Sequence, residues 1–311
     1  MHRNLKIQLI APSGYPHDQA AVRRGVERLE AAGHAVVGKD ALQRIDQRFA
    51  GSVAERVAEL NALGTDPSVD IALAVRGGYG AHQLLQHLDY DGLAERLGSR
   101  PLAMVGHSDF TAVQLALLAR SNLVTFGGPM LSADFGAEAL RDFTWRHFWK
   151  AMCSSTMDVA WSAAPDSPDV DVEGTLWGGN LAVVCALVGT PYMPVVDGGI
   201  LFVEDVSEPP FRVERMLYHL YLAGILGRQK ALVLGDFSSY RSSEYDNGYD
   251  LPDAIERIGA VAGIPVVTEL PFGHCPDKFT LPVGAHARLR LAGGEASLAI
   301  HGYPSIPDTN R

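Results

Sequence analysis

From Leu5 to Ser121 the chain alternates between short apolar runs and stretches with helical spacing. The order is LKIQLIAP, DQAAVRRGVERLEAAG, HAVVG, VAERVAELNALG, VDIALAVRG, RPLAMVG and then a helix after Ser108. Strands separated by helices of this length pair in parallel through right-handed crossovers, because a tight hairpin cannot join parallel neighbours. An open parallel α/β sheet is therefore expected as the first domain. In such sheets ligands gather at the carboxyl ends of the strands, which is where APSG, VRGGYG and VGHSD fall.

Between Gly136 and Asp171 the pattern weakens into MCSSTMDVAWSAAPDSPDVDVEG, which reads as a crossing between domains. Beyond it, TLWGGNLAVVCALVGTPYMP opens a second, mixed α/β domain. That domain continues through a strand GGILFVEDV, a helix RVERMLYHLYLAGIL, a strand KALVLGDF, a helix DAIERIGAVAG and strands around PVVTEL and ARLRLAG. The expected organisation is 1–135, 136–171 and 172–311, and two domains suit a chain of 311 residues.

Composition narrows the function classes. With 47% hydrophobic residues the chain can bury a sizeable core, and its formal charge of -10 gives no electrostatic basis for gripping nucleic acid. No segment approaches the ~20 uninterrupted apolar residues of a membrane span. The apolar run at the N-terminus is broken by Lys6 and Gln8 and reads as a first strand, not a secretory signal. Cys153, Cys185 and Cys275 lack Cys-x-x-Cys spacing, and no His-Glu-x-x-His or comparable pattern occurs, so neither a disulfide framework nor a metal site is expected. A reducing cytoplasm fits these features.

Four stretches carry candidate chemistry, each with a plain structural alternative. Gly106-His107-Ser108-Asp109 ends an apolar strand and feeds a helix, which would hold the Ser108 hydroxyl above the sheet as a nucleophile; Ser108 and Asp109 are also common helix caps. RGGYGAH, Arg76 to His82, allows close backbone approach to a ligand and an N–H aimed at an oxyanion, or is an ordinary turn. Glu204 and Asp205 end a strand with side chains on opposite faces. One of them can orient a histidine base, or the pair can cap a turn or meet Arg212 or Arg215. His274 lies in a Gly/Pro-rich loop after a strand, a setting that often carries function. Cys275 beside His274 offers a Cys-His alternative, and His107 lies beside Ser108, but sequence neighbours rarely adopt nucleophile–base geometry.

Ser, Glu and His in this order are the parts of a serine hydrolase triad. The segments APSG, RGGYGAHQLL, GHSDFTA, LVTFGGPML, GGNLAVVCALVGTPY, LFVEDVSEPPFRVERML and GHCPDKFTLPVG run in the order found in the LD-carboxypeptidase family, over nearly the whole chain. The chain resembles that family of serine peptidases. The resemblance implies Ser108 as nucleophile, Glu204 as the acidic member, His274 as general base, and the backbone N–H groups of Gly78 and Asp109 as oxyanion donors. It further implies a cytoplasmic homodimer without cofactor that releases D-alanine from murein tetrapeptide in peptidoglycan recycling. His107 departs from the aromatic residue more usual there. A self-immunity branch of the family cleaves peptidyl nucleotide analogues instead, and a non-catalytic muropeptide binder is the alternative from another class.

Overall fold

The computed structural model describes residues 4–100, 102–164 and 167–306. In the N-terminal half, β1 (Lys6–Ile10), β2 (Ala35–Val37), β3 (Ile71–Ala74), β4 (Ala103–Gly106) and β5 (Thr125–Gly127) are parallel, in the spatial order β5-β4-β3-β1-β2. The crossovers carry α1 (Gln19–Ala31), α2 (Val53–Asn61), α3 (Tyr90–Ser99) and α4 (Thr111–Ser121). Their starts follow from sequence: Asp18 accepts from the Ala21 N–H, and Ser52 and Glu55 form a reciprocal capping box. β3 and β4 are buried at every position, as covered parallel strands must be. The strand order reverses between β1 and β3, which opens a crevice between the loops that follow them.

The second half contributes α5 (Asp142–Cys153), β6 (Thr156–Ser162), β7 (Val170–Asn180), α6 (Leu181–Ala186), β8 (Ile200–Val206), α7 (Pro210–Leu222), β9 (Ala231–Ser238), α8 (Leu251–Ala262), β10 (Val266–Val267), β11 (Leu281–Val283), β12 (His286–Ala292) and β13 (Glu295–His301). Its sheet runs β10-β9-β8-β7-β12-β13-β6, parallel from β10 to β7 and antiparallel beyond. The antiparallel strands β6, β12 and β13 alternate buried and exposed residues along their length, whereas β8 is buried almost throughout.

Two features differ from the sequence expectation. The stretch 136–171 is not an irregular crossing: it holds α5 and β6, and Met157, Val159 and Trp161 point inward with a period of two. Helix α5 is rich in aromatic residues of modest helix propensity, and its burial of Phe148, Trp149 and Met152 supplies what propensity does not. The first sheet, moreover, is not wholly parallel. Strand β11 crosses from the second half to pair antiparallel with β5, Leu281 opposite Gly127 and Val283 opposite Thr125. This pins the segment just after His274 to the sheet that carries Ser108. Helix α4, buried from Thr111 to Leu117, packs against β7 and α6 and joins the halves from the other side. No helix among the described residues is long and apolar enough to cross a membrane.

Candidate active site

Strand β4 ends at Gly106, and Ser108 opens a single 3₁₀ turn, Ser108–Phe110, that leads into α4. Ser108 has φ of 61°, a left-handed conformation that costs a residue with a Cβ and persists only where its surroundings enforce it. Neither Ser108 nor Asp109 caps a helix with its side chain. The Asp109 carboxylate instead accepts from the Ala81 N–H at 2.8 Å, which ties the turn after β4 to the loop after β3. Burial pushes the Asp109 carboxyl above its usual range. The Ser108 hydroxyl meets His274 Nε2 at 3.2 Å.

His274 Nδ1 lies 2.7 Å from Glu204 Oε2, so Ser108, His274 and Glu204 form one hydrogen-bonded chain across the two halves. Facing a carboxylate, Nδ1 carries the proton and Nε2 presents its lone pair to the serine. Glu204 is fully buried at the end of β8. Burial is the largest influence on His274 and pushes it down, but the hydrogen bond and charge of Glu204 outweigh burial and leave it above its ordinary 6.5. Close approach to Glu204 explains Gly273: a Cβ there would lie 2.8 Å from Glu204 Oε2, at a φ of 126°.

The adjacent carboxylates of β8 diverge in role. Glu204 meets the histidine. Asp205 accepts from the Ala182 N–H at 2.9 Å and from Asn180 Nδ2 at 3.0 Å, and burial raises it. Asn180 Nδ2 also reaches Glu204 Oε1 at 3.3 Å, and its Oδ1 caps α6 through Val183. In the sequence Asn180 carries only a cap signal, an Asn directly before the apolar LAVV run. Arg212 pairs with Glu208, leaving Glu204 to His274.

On the far side of His274 the site is braced by a buried ion pair, Lys278 with Asp134 at 2.6 Å, whose partners lie 144 residues apart. Asp134 also accepts from the Met130 N–H, and Thr144 accepts from the Lys278 N–H. The His107 ring stands edge-on to that of His274, with centroids 5.1 Å apart, and donates Nδ1–H to the Gly128 carbonyl. Burial, with Lys278 and His274 nearby, holds His107 well below its ordinary value, so it is a neutral packing partner. Burial also pushes the Cys275 thiol up to about 12, and it donates to the Asp277 carbonyl, which removes it as a nucleophile. Replacing Lys278 with Met is expected to destabilise the fold by about 3–5 kcal/mol, because Asp134 is left charged and unpaired inside the protein. Denaturant midpoints of the single variant and of a Lys278→Met/Asp134→Leu pair check this, the double change recovering most of the loss.

The loop after β3 approaches the serine by backbone. A Cβ on Gly77 would fall 2.7 Å from Ser108 Oγ and 2.8 Å from its Cβ, so a glycine is required at that contact. Gly78, next along, is exposed and lines a cleft with Ser108, Asp109 and Asn180; a second cleft is lined by His107, His274, Lys278 and Ala133. Gly77→Ala is expected to displace the hydroxyl from His274 and lower kcat by about 10²-fold, since small misplacements of a reacting group carry that cost. Steady-state kinetics with an unchanged thermal midpoint check it. Among the described residues no group of three or more His, Cys, Asp or Glu side chains is arranged to hold a metal ion.

Two family models match the chain: the LD-carboxypeptidase N-terminal domain over residues 7–128 and the LD-carboxypeptidase C-terminal domain over residues 173–289. A crystal structure of muramoyltetrapeptide carboxypeptidase from Oxalobacter formigenes has a TM-score of 0.89 and 46% identity, covering 96% of this chain and 100% of that one. The murein tetrapeptide carboxypeptidase of Pseudomonas aeruginosa is 31% identical over 250 residues, 78% of this chain and 79% of the relative. The microcin C7 self-immunity protein of Escherichia coli is 27% identical over 295 residues, 84% of this chain and 83% of the relative. Ser108 lies within the first matched domain and Glu204 and His274 within the second, and the chain belongs to the LD-carboxypeptidase family.

Proposed function

We propose that this protein is a serine carboxypeptidase that releases the terminal D-alanine of murein tetrapeptide through an acyl-enzyme on Ser108. The observation that carries the reading is the hydrogen-bonded chain Ser108–His274–Glu204. His274 Nε2 takes the Ser108 proton as Oγ bonds to the carbonyl carbon of the third residue, and Glu204 stabilises the imidazolium that forms. The carbonyl oxygen becomes an oxyanion held by the backbone N–H groups of Gly78 and Asp109, each donor worth about 3 kcal/mol in sites of this kind. His274 then protonates the departing nitrogen and the C–N bond breaks. Water, deprotonated by the same imidazole, hydrolyses the ester and frees the tripeptide.

Because one imidazole serves both steps, the leaving group sits on the His274 side. The cleft there has Ala133, Ala137 and Ala139 in its lining beside the cationic side chains of Arg141 and Lys278, which suit a carboxylate, and its Phe135 is wholly buried and offers no face to a nucleobase. This favours a single D-amino acid over a nucleotide analogue as leaving group. The test is to incubate the protein with L-Ala-γ-D-Glu-meso-diaminopimelyl-D-Ala, and separately with an aminoacyl sulfamoyl adenosine, and to follow free D-alanine and free nucleoside. D-alanine release is the expected result; nucleoside release alone would transfer the protein to the self-immunity activity, and release from neither would leave a binder.

A further inference from the structure

Two arginines stand near the oxyanion loop and are treated differently by the fold. Arg56, 1% exposed, spends its guanidinium on the protein: Nε donates to Gly51 O, Nη1 to Pro12 O and Gly80 O, and Nη2 to Gln83 Oε1. It knits three loops together. Arg76 does not. Its Nη1 donates to Tyr15 O at 3.0 Å and lies 3.2 Å from His17 Nδ1, and among the described residues Nε and Nη2 have no acceptor. No carboxylate of the described residues lies within ion-pair distance of it; burial acts on it most, then Tyr15, and then a second cation, Arg48.

Arg76 is a half-buried guanidinium with no carboxylate partner and two nitrogens without an acceptor among the described residues. Desolvating a cation is costly unless an anion compensates. Its position is also informative. Arg76 lies just past β3 and touches Tyr15, beyond β1, so it spans the crevice where the strand order reverses, the place at which open α/β sheets bind ligands. It directly precedes Gly77, whose backbone touches Ser108, and its Nη2 lies 3.5 Å from where a Cβ on Gly78 would be. Arg48 sits beside it, its guanidinium 5.7 Å from the centre of the exposed Tyr79 ring.

We propose that Arg76, reinforced by the charge of Arg48, is a carboxylate-binding subsite that takes a carboxylate of the peptide whose scissile carbonyl lies at Ser108. This rests on the peptidase reading above. A planar fork with free donors matches a carboxylate in bidentate geometry. The tetrapeptide offers three such groups: the terminal one, that of D-glutamate and the distal one of diaminopimelate.

The test measures affinity apart from chemistry. The Ser108→Ala protein and its Ser108→Ala/Arg76→Met derivative are titrated calorimetrically with four peptides: the parent tetrapeptide, its C-terminal amide, the D-isoglutamine analogue and the analogue with lysine in place of diaminopimelate. Arg76→Met is expected to weaken the parent peptide about 10- to 150-fold, the range of a hydrogen bond to a charged group, and to leave unchanged the affinity for the one peptide lacking the carboxylate it reads. That peptide identifies the carboxylate. Should the Met variant fold poorly, Arg76→Lys is used, with a smaller loss of the same selectivity. Equal weakening of all four peptides, or of none, overturns the subsite while D-alanine release by the parent protein still supports the peptidase. Absence of both release and binding overturns the two together.

Discussion

Alanine at position 108 is expected to lower D-alanine release from the murein tetrapeptide by about 10⁵-fold or more, with little change in stability. The substitution removes one atom, Oγ, whose contact in the site is His274 Nε2 at 3.2 Å. It leaves the His274–Glu204 bond and the Asp109–Ala81 tie in place. Alanine at a φ of 61° is strained much as serine is, so the cost of the turn changes little between the two. Matched thermal midpoints with lost turnover would therefore mark a chemical role. The residual rate should exceed that in water, since donors to an oxyanion and binding energy survive the loss of a nucleophile. Equal release by both proteins would reduce Ser108 to a turn residue and place the nucleophile elsewhere.

The parts of the molecule legible in sequence are those with local causes. Continuous apolar runs became buried parallel strands, and Asp18, Ser52 and Gly263 mark helix ends where local chemistry calls for them. Ser108, Glu204 and His274 were legible as separate weak motifs joined by a family resemblance, not by any spacing between them. What brings His274 to Ser108 is long-range: β11 pairing with β5, and Lys278 meeting Asp134. Neither leaves a local trace, because an ion pair across 144 residues has no periodicity. Arg76 stands within RGGYGAH, where the glycines carry the local signal, and an arginine's lack of a partner is visible only once its neighbours are known. Strand β6 is the converse case: the alternation in TMDVAWS is present in the sequence but is short and flanked by turn-forming Ser and Pro residues, which mask it.

Glu204→Gln is expected to lower kcat by about 10⁴-fold with the site's shape intact, because it inverts the histidine. Asn180 Nδ2 is a donor aimed at Glu204 Oε1, so the glutamine carbonyl oxygen will settle there and its NH₂ will face His274 Nδ1. A donor at that position forces Nδ1 to accept and moves the ring proton to Nε2. Nε2 then donates to Ser108 and can no longer take its proton. The pH profile provides a second reading of the same residue. Turnover needs neutral His274, so kcat/KM should rise with pH through an inflection above 6.5 in the parent protein, where Glu204 favours the charged ring over the opposing effect of burial. Without the carboxylate, burial acts unopposed by its largest counterweight and the inflection should move to lower pH. A fall in kcat with an unmoved inflection would point to misfolded geometry, whereas both changes together would tie the buried carboxylate to the tautomer and to the charge of the base.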